Sequence, residues 1–178
     1  MGLKTCDVNQ DKQLCQQAKA LYLRSFPREE RIPWWLLRLN SRRKGIDLTA
    51  WMDEDIFCGF TASVTVEGMH FVLFLAIEPA LHSQGYGTAI LTALRLEHAC
   101  VCLNVELLDP TADNYAQRQR RFAFYDRNGF ADTCYHVWEI GGKFRVLSTQ
   151  AELDTHRYKK VFKKLTFGLW DVKLLRAE

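Results

Sequence analysis

Three groups of residues in this 178-residue chain have the types and spacing to do chemistry. The first is the segment His82-Ser83-Gln84-Gly85-Tyr86-Gly87-Thr88. The apolar run Phe71–Ile77 precedes it and an Ala/Ile/Leu-rich helical pattern follows. Glycines let backbone approach a ligand closely. A helix start presents unpaired N–H groups backed by the positive end of the helix dipole. Together they make a phosphate or pyrophosphate cradle. It is not a Walker loop, because no lysine separates Gly87 from Thr88. It is not a dinucleotide fingerprint, because Ile90 stands where the third glycine belongs. The second group is Cys100-x-Cys102 with Cys134-x-His136, four side chains that could converge from strands. Their spacing matches no familiar zinc pattern, so no metal is expected. The third is the segment Arg121-Phe-Ala-Phe-Tyr125-Asp-Arg-Asn-Gly129-Phe130, which places a tyrosine near the end of a helix.

These residues sit in an ordinary globular composition, 48% hydrophobic and 25% charged. A net charge of +3 is too mild to indicate a nucleic-acid partner. The longest apolar run is far short of a bilayer span. The first ten residues carry no long apolar stretch, and Cys6 stands where a myristoylation motif wants Ser or Thr. The expectation is a cytoplasmic protein with no nucleic-acid or membrane partner, its six cysteines free.

The elements that must position these groups follow from periodicity. Leu14, Ala18, Leu21, Tyr22 and Phe26 recur at helical spacing, so residues 11–25 read as a helix with Asp11 at its start. A second helix begins near Pro33. Alternation over Ile46–Met52 and Thr61–Val66, then the run Phe71–Ile77, reads as an antiparallel meander turning at Asp53–Asp55 and Gly68. A helix reaches from the glycine loop to about Cys100. A strand covers Val101–Leu107 and a helix Asn114–Asn128. Strands near Ala131–Ile140 and Lys143–Leu147 join at Gly141-Gly142. Residues 150–165 read as a basic helix. This is an α/β, mixed-sheet chain. Residues 1–148 read as a single domain and 149–178 as a C-terminal extension packed on it.

The loop and the tyrosine segment together resemble the GNAT superfamily of acetyl-CoA-dependent N-acetyltransferases. That family's loop reads Arg/Gln-x-x-Gly-x-Gly/Ala; here His82 takes the first place. Its second signature, a tyrosine followed four residues later by Gly-Phe, matches Tyr125 with Gly129-Phe130. Family members often carry Asn seven residues before the tyrosine; Arg118 stands there, and Asn114, one turn earlier, is the substitute candidate. The resemblance covers roughly residues 3–147. It implies a GNAT-like fold, an antiparallel meander plus a splayed parallel strand pair, with helices on both faces.

It further implies acetyl-CoA as cosubstrate, held by residues 82–88 and by backbone groups of Ala76 and Ile77. Acetyl transfer to an amine needs a base for the ammonium proton, a polarised thioester carbonyl and an acid for the leaving thiolate. By resemblance, a backbone N–H near Ile77 polarises the carbonyl and Tyr125 is the general acid. A phenol's pKa of about 10 is close to a thiol's, about 8.5. The base stays open among Glu106, His136, Glu78 and water, since His70-Phe71 occupies the place where some members carry glutamate. The acceptor is a small-molecule or peptide amine, and the resemblance allows a homodimer. The alternatives are an acyl-CoA-binding module without turnover, or an interaction protein working through its basic C-terminal segment.

Overall fold

In a computed structural model of the chain, which describes residues 2–139 and 142–177, eight strands alternate with five helices. The elements are β1 (Leu3–Asp7), α1 (Lys12–Ser25), α2 (Trp34–Asn40), β2 (Ile46–Asp53), β3 (Ile56–Val66), β4 (Met69–Ile77) and α3 (Tyr86–Glu97). Then come β5 (Cys100–Glu106), α4 (Tyr115–Arg127), β6 (Ala131–Glu139), β7 (Gly142–Ser148), α5 (Thr155–Leu165) and β8 (Leu174–Arg176). The strand order is β1-β2-β3-β4-β5-β7-β6-β8. The sheet is mixed, antiparallel ladders with one parallel pair. β4 leads through α3 into β5, the helical crossover that parallel strands require.

The chain divides into two compact units, residues 1–65 with 72–97, and 66–71 with 98–178. In the first unit the Asp11 carboxylate accepts from the N–H groups of Gln13 and Leu14, satisfying two orphan donors of α1. Pro27 and Pro33 confine the chain that follows to a single 3-10 turn before α2. The buried face of α1 carries Ala18, Leu21 and Tyr22. These pack in one core with Leu48, Ala50, Phe60, Phe74 and Ala76 from the strands. Tyr22 is its hub: the hydroxyl accepts from Ile32 N–H and donates to Ile32 C=O, and the ring meets Trp34, Phe60 and Phe74. Trp34 is thus a core residue, whereas Trp35 is 67% exposed. Trp51 is buried with its indole N–H on Thr61 Oγ1.

β3 carries a glycine that only close approach explains. A Cβ on Gly59 would lie 2.3 Å from Ala76 O. This position therefore fixes how tightly β3 lies against the end of β4.

In the second unit β5, β6, β7 and β8 form an antiparallel series. Its core is Val101, Leu103, Val105, Phe130, Val137, Val146 and the α5 residues Tyr158, Val161 and Phe162. β6 carries a bulge between Asp132 and His136, with Cys134 at φ 59°. The turn before β4 is Glu67-Gly68, with φ 49° and 82°, the two left-handed central residues of a tight hairpin.

The structure departs from the sequence reading at several places: β3 begins at Ile56, ahead of the expected start at Thr61. α3 stops at Glu97, because Cys100 already belongs to β5. α5 begins only at Thr155, capped by Asp154. β8, which no pattern announces, is added to the edge by pairing with β6. The expected Gly141-Gly142 turn includes residues 140 and 141, outside the described residues. No helix among the described residues is long and apolar enough to cross a membrane.

Candidate active site

The glycine loop of the first unit is built from the end of β4. Glu78 N–H donates to Cys58 C=O of β3, and Leu81 and His82 N–H close a 3-10 turn onto Glu78 and Pro79. The His82 ring folds back, its Nε2–H donating to Ile77 C=O at 2.9 Å. That bond fixes the tautomer. Gln84 donates to Ala80 C=O at 2.9 Å. Arg24 of α1 grips the Glu78 carboxylate with both oxygens, at 2.9 and 3.1 Å. The loop is thus tied down along its length before any ligand arrives.

Its outer backbone is left open. Ser83 and Gly85 both have positive φ, 63° and 88°. The first bond of α3 runs from Ala89 N–H to Gly85 C=O. The N–H groups of Gly85, Tyr86, Gly87 and Thr88 accordingly have no acceptor among the described residues. A Cβ on Gly85 would meet nothing within 4 Å. Four aligned donors at a helix start, with space above them, fit a pyrophosphate. The nearby Glu78 carboxylate is neutralised by Arg24, which removes an obstacle to an anion.

The side chains tell a different story from the backbone. Tyr86 is buried, and its hydroxyl donates to Asp53 Oδ2 at 3.0 Å. Asp53 is therefore engaged by Tyr86. Of the expected loop contacts, His82, Gln84 and Tyr86 use their side chains to brace the loop, and what they can offer a ligand is backbone. Ala76 is buried in the core and Ile77 half-buried at the strand end.

In the second unit, Glu106 ends β5 within a cluster that the sequence reading did not foresee. Its Oε2 accepts from Arg121 at 2.7 Å, and its Oε1 meets Arg118 at 3.2 Å and Asn114 Nδ2 at 3.0 Å. Arg118 also donates to Asn114 Oδ1 and to Leu107 C=O. Glu106, expected as a candidate base, and Asn114, expected as a cofactor contact, are brought together in this cluster. The Asn114 amide gives one N–H to Glu106 and takes one from Arg118, so its orientation is fixed within the cluster. Glu106 anchors the first turns of α4 to β5. The signal was in the sequence: Arg118 and Arg121 are three apart and share a helix face.

Tyr125 lies one turn beyond Arg121. Its ring packs edge-on to Phe130 at 5.8 Å and against Phe124 at 5.2 Å. Burial raises the phenol pKa, and the Arg121 charge opposes that rise. The Tyr125 hydroxyl has no hydrogen-bond partner among the described residues. Tyr125 itself is half-buried.

His136 stands on β6 opposite Arg145 of β7. Burial, then the Lys143 and Arg145 charges, lower its pKa, so the ring is neutral at pH 7 and able to accept a proton. Cys134 is exposed and Cys100 and Cys102 are buried. Among the described residues no group of three or more His, Cys, Asp or Glu side chains is arranged to hold a metal ion.

No family model matches the sequence, and no curated protein does. Solved structures do match. A candidate acetyltransferase of the GNAT family from Bacteroides thetaiotaomicron is 23% identical, with a TM-score of 0.74 over 96% of this chain and 100% of that one. An aminoglycoside 6'-N-acetyltransferase complexed with coenzyme A is 17% identical, with a TM-score of 0.66 over 83% and 96%. The ribosomal-protein-S18-alanine N-acetyltransferase of Escherichia coli is 16% identical, with a TM-score of 0.61 over 85% and 96%. With its element order, its mixed sheet and its glycine loop between β4 and α3, the chain has the fold of the GNAT acetyltransferases.

Proposed function

We propose that the protein is an N-acetyltransferase that moves an acetyl group from acetyl-CoA to a primary amine of a small molecule or peptide. The observation that carries this reading is the set of four open N–H groups, Gly85 to Thr88, on a braced loop at the end of β4. They would hold the pyrophosphate of the cosubstrate, and Ala76 and Ile77 would offer backbone to its pantetheine arm. Bound there, acetyl-CoA supplies the thioester acyl group and a thiolate leaving group. Tyr125 is the general acid, giving its Oη proton to that leaving group. Its free hydroxyl and raised pKa keep the proton in place at neutral pH. Of the side chains named for the base, His136 suits the role best, because its ring is neutral whereas Glu106 and Glu78 are ion-paired to arginines. The acyltransferase domain is residues 1–148, and residues 149–178 extend it.

One fold neighbour is named for an aminoglycoside and another for a protein alanine. Both acceptors are amines, which supports amine acylation without choosing between them. The test is acetyl-CoA turnover against a panel of polyamines, aminoglycosides and peptides with free N-termini. Release of CoA with mass gain of one acetyl on the acceptor is expected, and Tyr125→Phe should lower kcat by about 10²-fold or more. Acetyl-CoA binding without turnover on any amine would support an acyl-CoA-binding module instead.

A further inference from the structure

Cys100 and Cys102 stand two residues apart at the start of β5, on one face of the strand. Their Sγ atoms are 3.7 Å apart. Ser148 of β7 lies opposite Cys102 in the ladder. Its Oγ accepts from Cys102 Sγ at 3.4 Å and lies 3.9 Å from Cys100 Sγ. Cys102 is fully buried, and Cys100 keeps 4% exposure. The two thiols are unequal. The contact with Cys102, helped by Ser148 and Arg157, lowers the Cys100 pKa against the opposing effect of burial. The same contact and deeper burial hold Cys102 protonated. Cys100 is thus the sulfur that reaches the reactive thiolate form at neutral pH. A second thiol in van der Waals contact is what a resolving cysteine requires.

We propose that Cys100 and Cys102 form a hydroperoxide-reactive dithiol that closes to an intrastrand disulfide. The Cys100 thiolate attacks one oxygen of the hydroperoxide and the O–O bond breaks. The other oxygen leaves with a proton as water or an alcohol, and Cys100 becomes a sulfenic acid. Cys102 sulfur then attacks Cys100 sulfur; the sulfenic oxygen departs as water, taking the Cys102 proton. Two thiols lose two electrons and two protons, and one hydroperoxide is reduced. Cys100 is buried, so the oxidant must be small, and a hydroperoxide is the class that fits.

Closure brings the sulfurs from 3.7 Å to about 2.05 Å. Cα atoms two apart on a strand are about 6.6 Å apart, near the top of the range a disulfide spans. The strand must therefore pucker at Val101. Val101 N–H donates to Thr149 Oγ1 and Val101 C=O accepts from Thr149 N–H, both at 3.0 Å. These bonds report the event.

The test treats the intact protein with hydrogen peroxide at pH 7, followed by denaturing alkylation and peptide mapping. The other four cysteines serve as internal controls: Cys6 and Cys134 exposed, Cys15 half-buried, Cys58 buried. A loss of 2 Da in the peptide holding Cys100 and Cys102 is expected, reversed by dithiothreitol, with faster amide exchange at Thr149. In Cys102→Ser the Cys100 sulfenic acid should accumulate and be trapped by dimedone, while Cys58 stays a thiol. Glutathione disulfide should leave the pair untouched. Oxygen addition at Cys6 or Cys134 with Cys100 and Cys102 still alkylatable would overturn the proposal, as would a pair disulfide that forms only after denaturation.

Discussion

Acidification should destabilise this protein through one buried imidazole. His70, in β4, is 3% exposed, and its ring stacks on that of His98 at 3.9 Å and 7°. Burial, and then the His98 charge, push its pKa from 6.5 down to about 3. The folded state thus favours the neutral ring, while the unfolded chain takes up a proton near pH 6.5. The His70 contribution is complete above that pH and is lost as the pH falls from 6.5 toward 3. At pH 5 the unfolded chain sits 1.5 units below its own pKa while folded His70 is still neutral. At 1.36 kcal/mol per unit the loss is about 2 kcal/mol. For a chain of this size that lowers Tm by roughly 4–8 °C. The assay is circular dichroism melting at pH 7.5 and pH 5.0, for wild type and His70→Phe. Phenylalanine keeps an aromatic ring against His98 and cannot titrate. The readout is the change with pH, so a uniform loss of stability in the variant does not matter. Wild type should fall by that amount more than the variant. Parallel losses would refute the reasoning, because the proton would then be taken up elsewhere.

Other outcomes follow from the same structure. Gly85→Glu should abolish stabilisation by acetyl-CoA, since it sets a carboxylate over the open N–H groups; wild type at about 100 times the dissociation constant should gain roughly 2.7 kcal/mol, read as a Tm shift. Glu106→Ala should cost about 1.5–3 kcal/mol in chemical denaturation, because it removes charged hydrogen bonds to Arg118, Arg121 and Asn114; a cost below about 0.5 kcal/mol would show that the cluster is not an anchor. Gly59→Ala should lower the yield of folded protein or its Tm sharply, because its Cβ would meet Ala76 O at 2.3 Å. His136→Gln should flatten the acidic limb of the turnover pH profile while leaving acetyl-CoA binding unchanged.

Much of this architecture was legible in the sequence because local physics dictates it. The Asp11 cap, the Glu67-Gly68 hairpin and the strand-loop-helix at Gly85 each use short-range rules that survive folding. The fate of individual polar side chains was not legible. Glu106 reads as an available carboxylate on a strand until α4 brings Arg118 and Arg121 against it. Tyr86 reads as a ligand contact until Asp53, thirty-three residues away in the chain, takes its hydroxyl. β8 is three residues long, too short to show alternation, and exists because β6 offers an edge. Gly59 carried a readable signal, a glycine among the apolar residues that open β3.

The central claim is that the backbone of the Gly85–Thr88 helix start receives the pyrophosphate of acetyl-CoA. The most direct measurement is a titration of coenzyme A followed by amide nitrogen–proton NMR. Saturable shifts largest at Gly85, Tyr86, Gly87 and Thr88, absent in Gly85→Glu, are the predicted result. Unchanged amides at these four positions at saturating coenzyme A would contradict it.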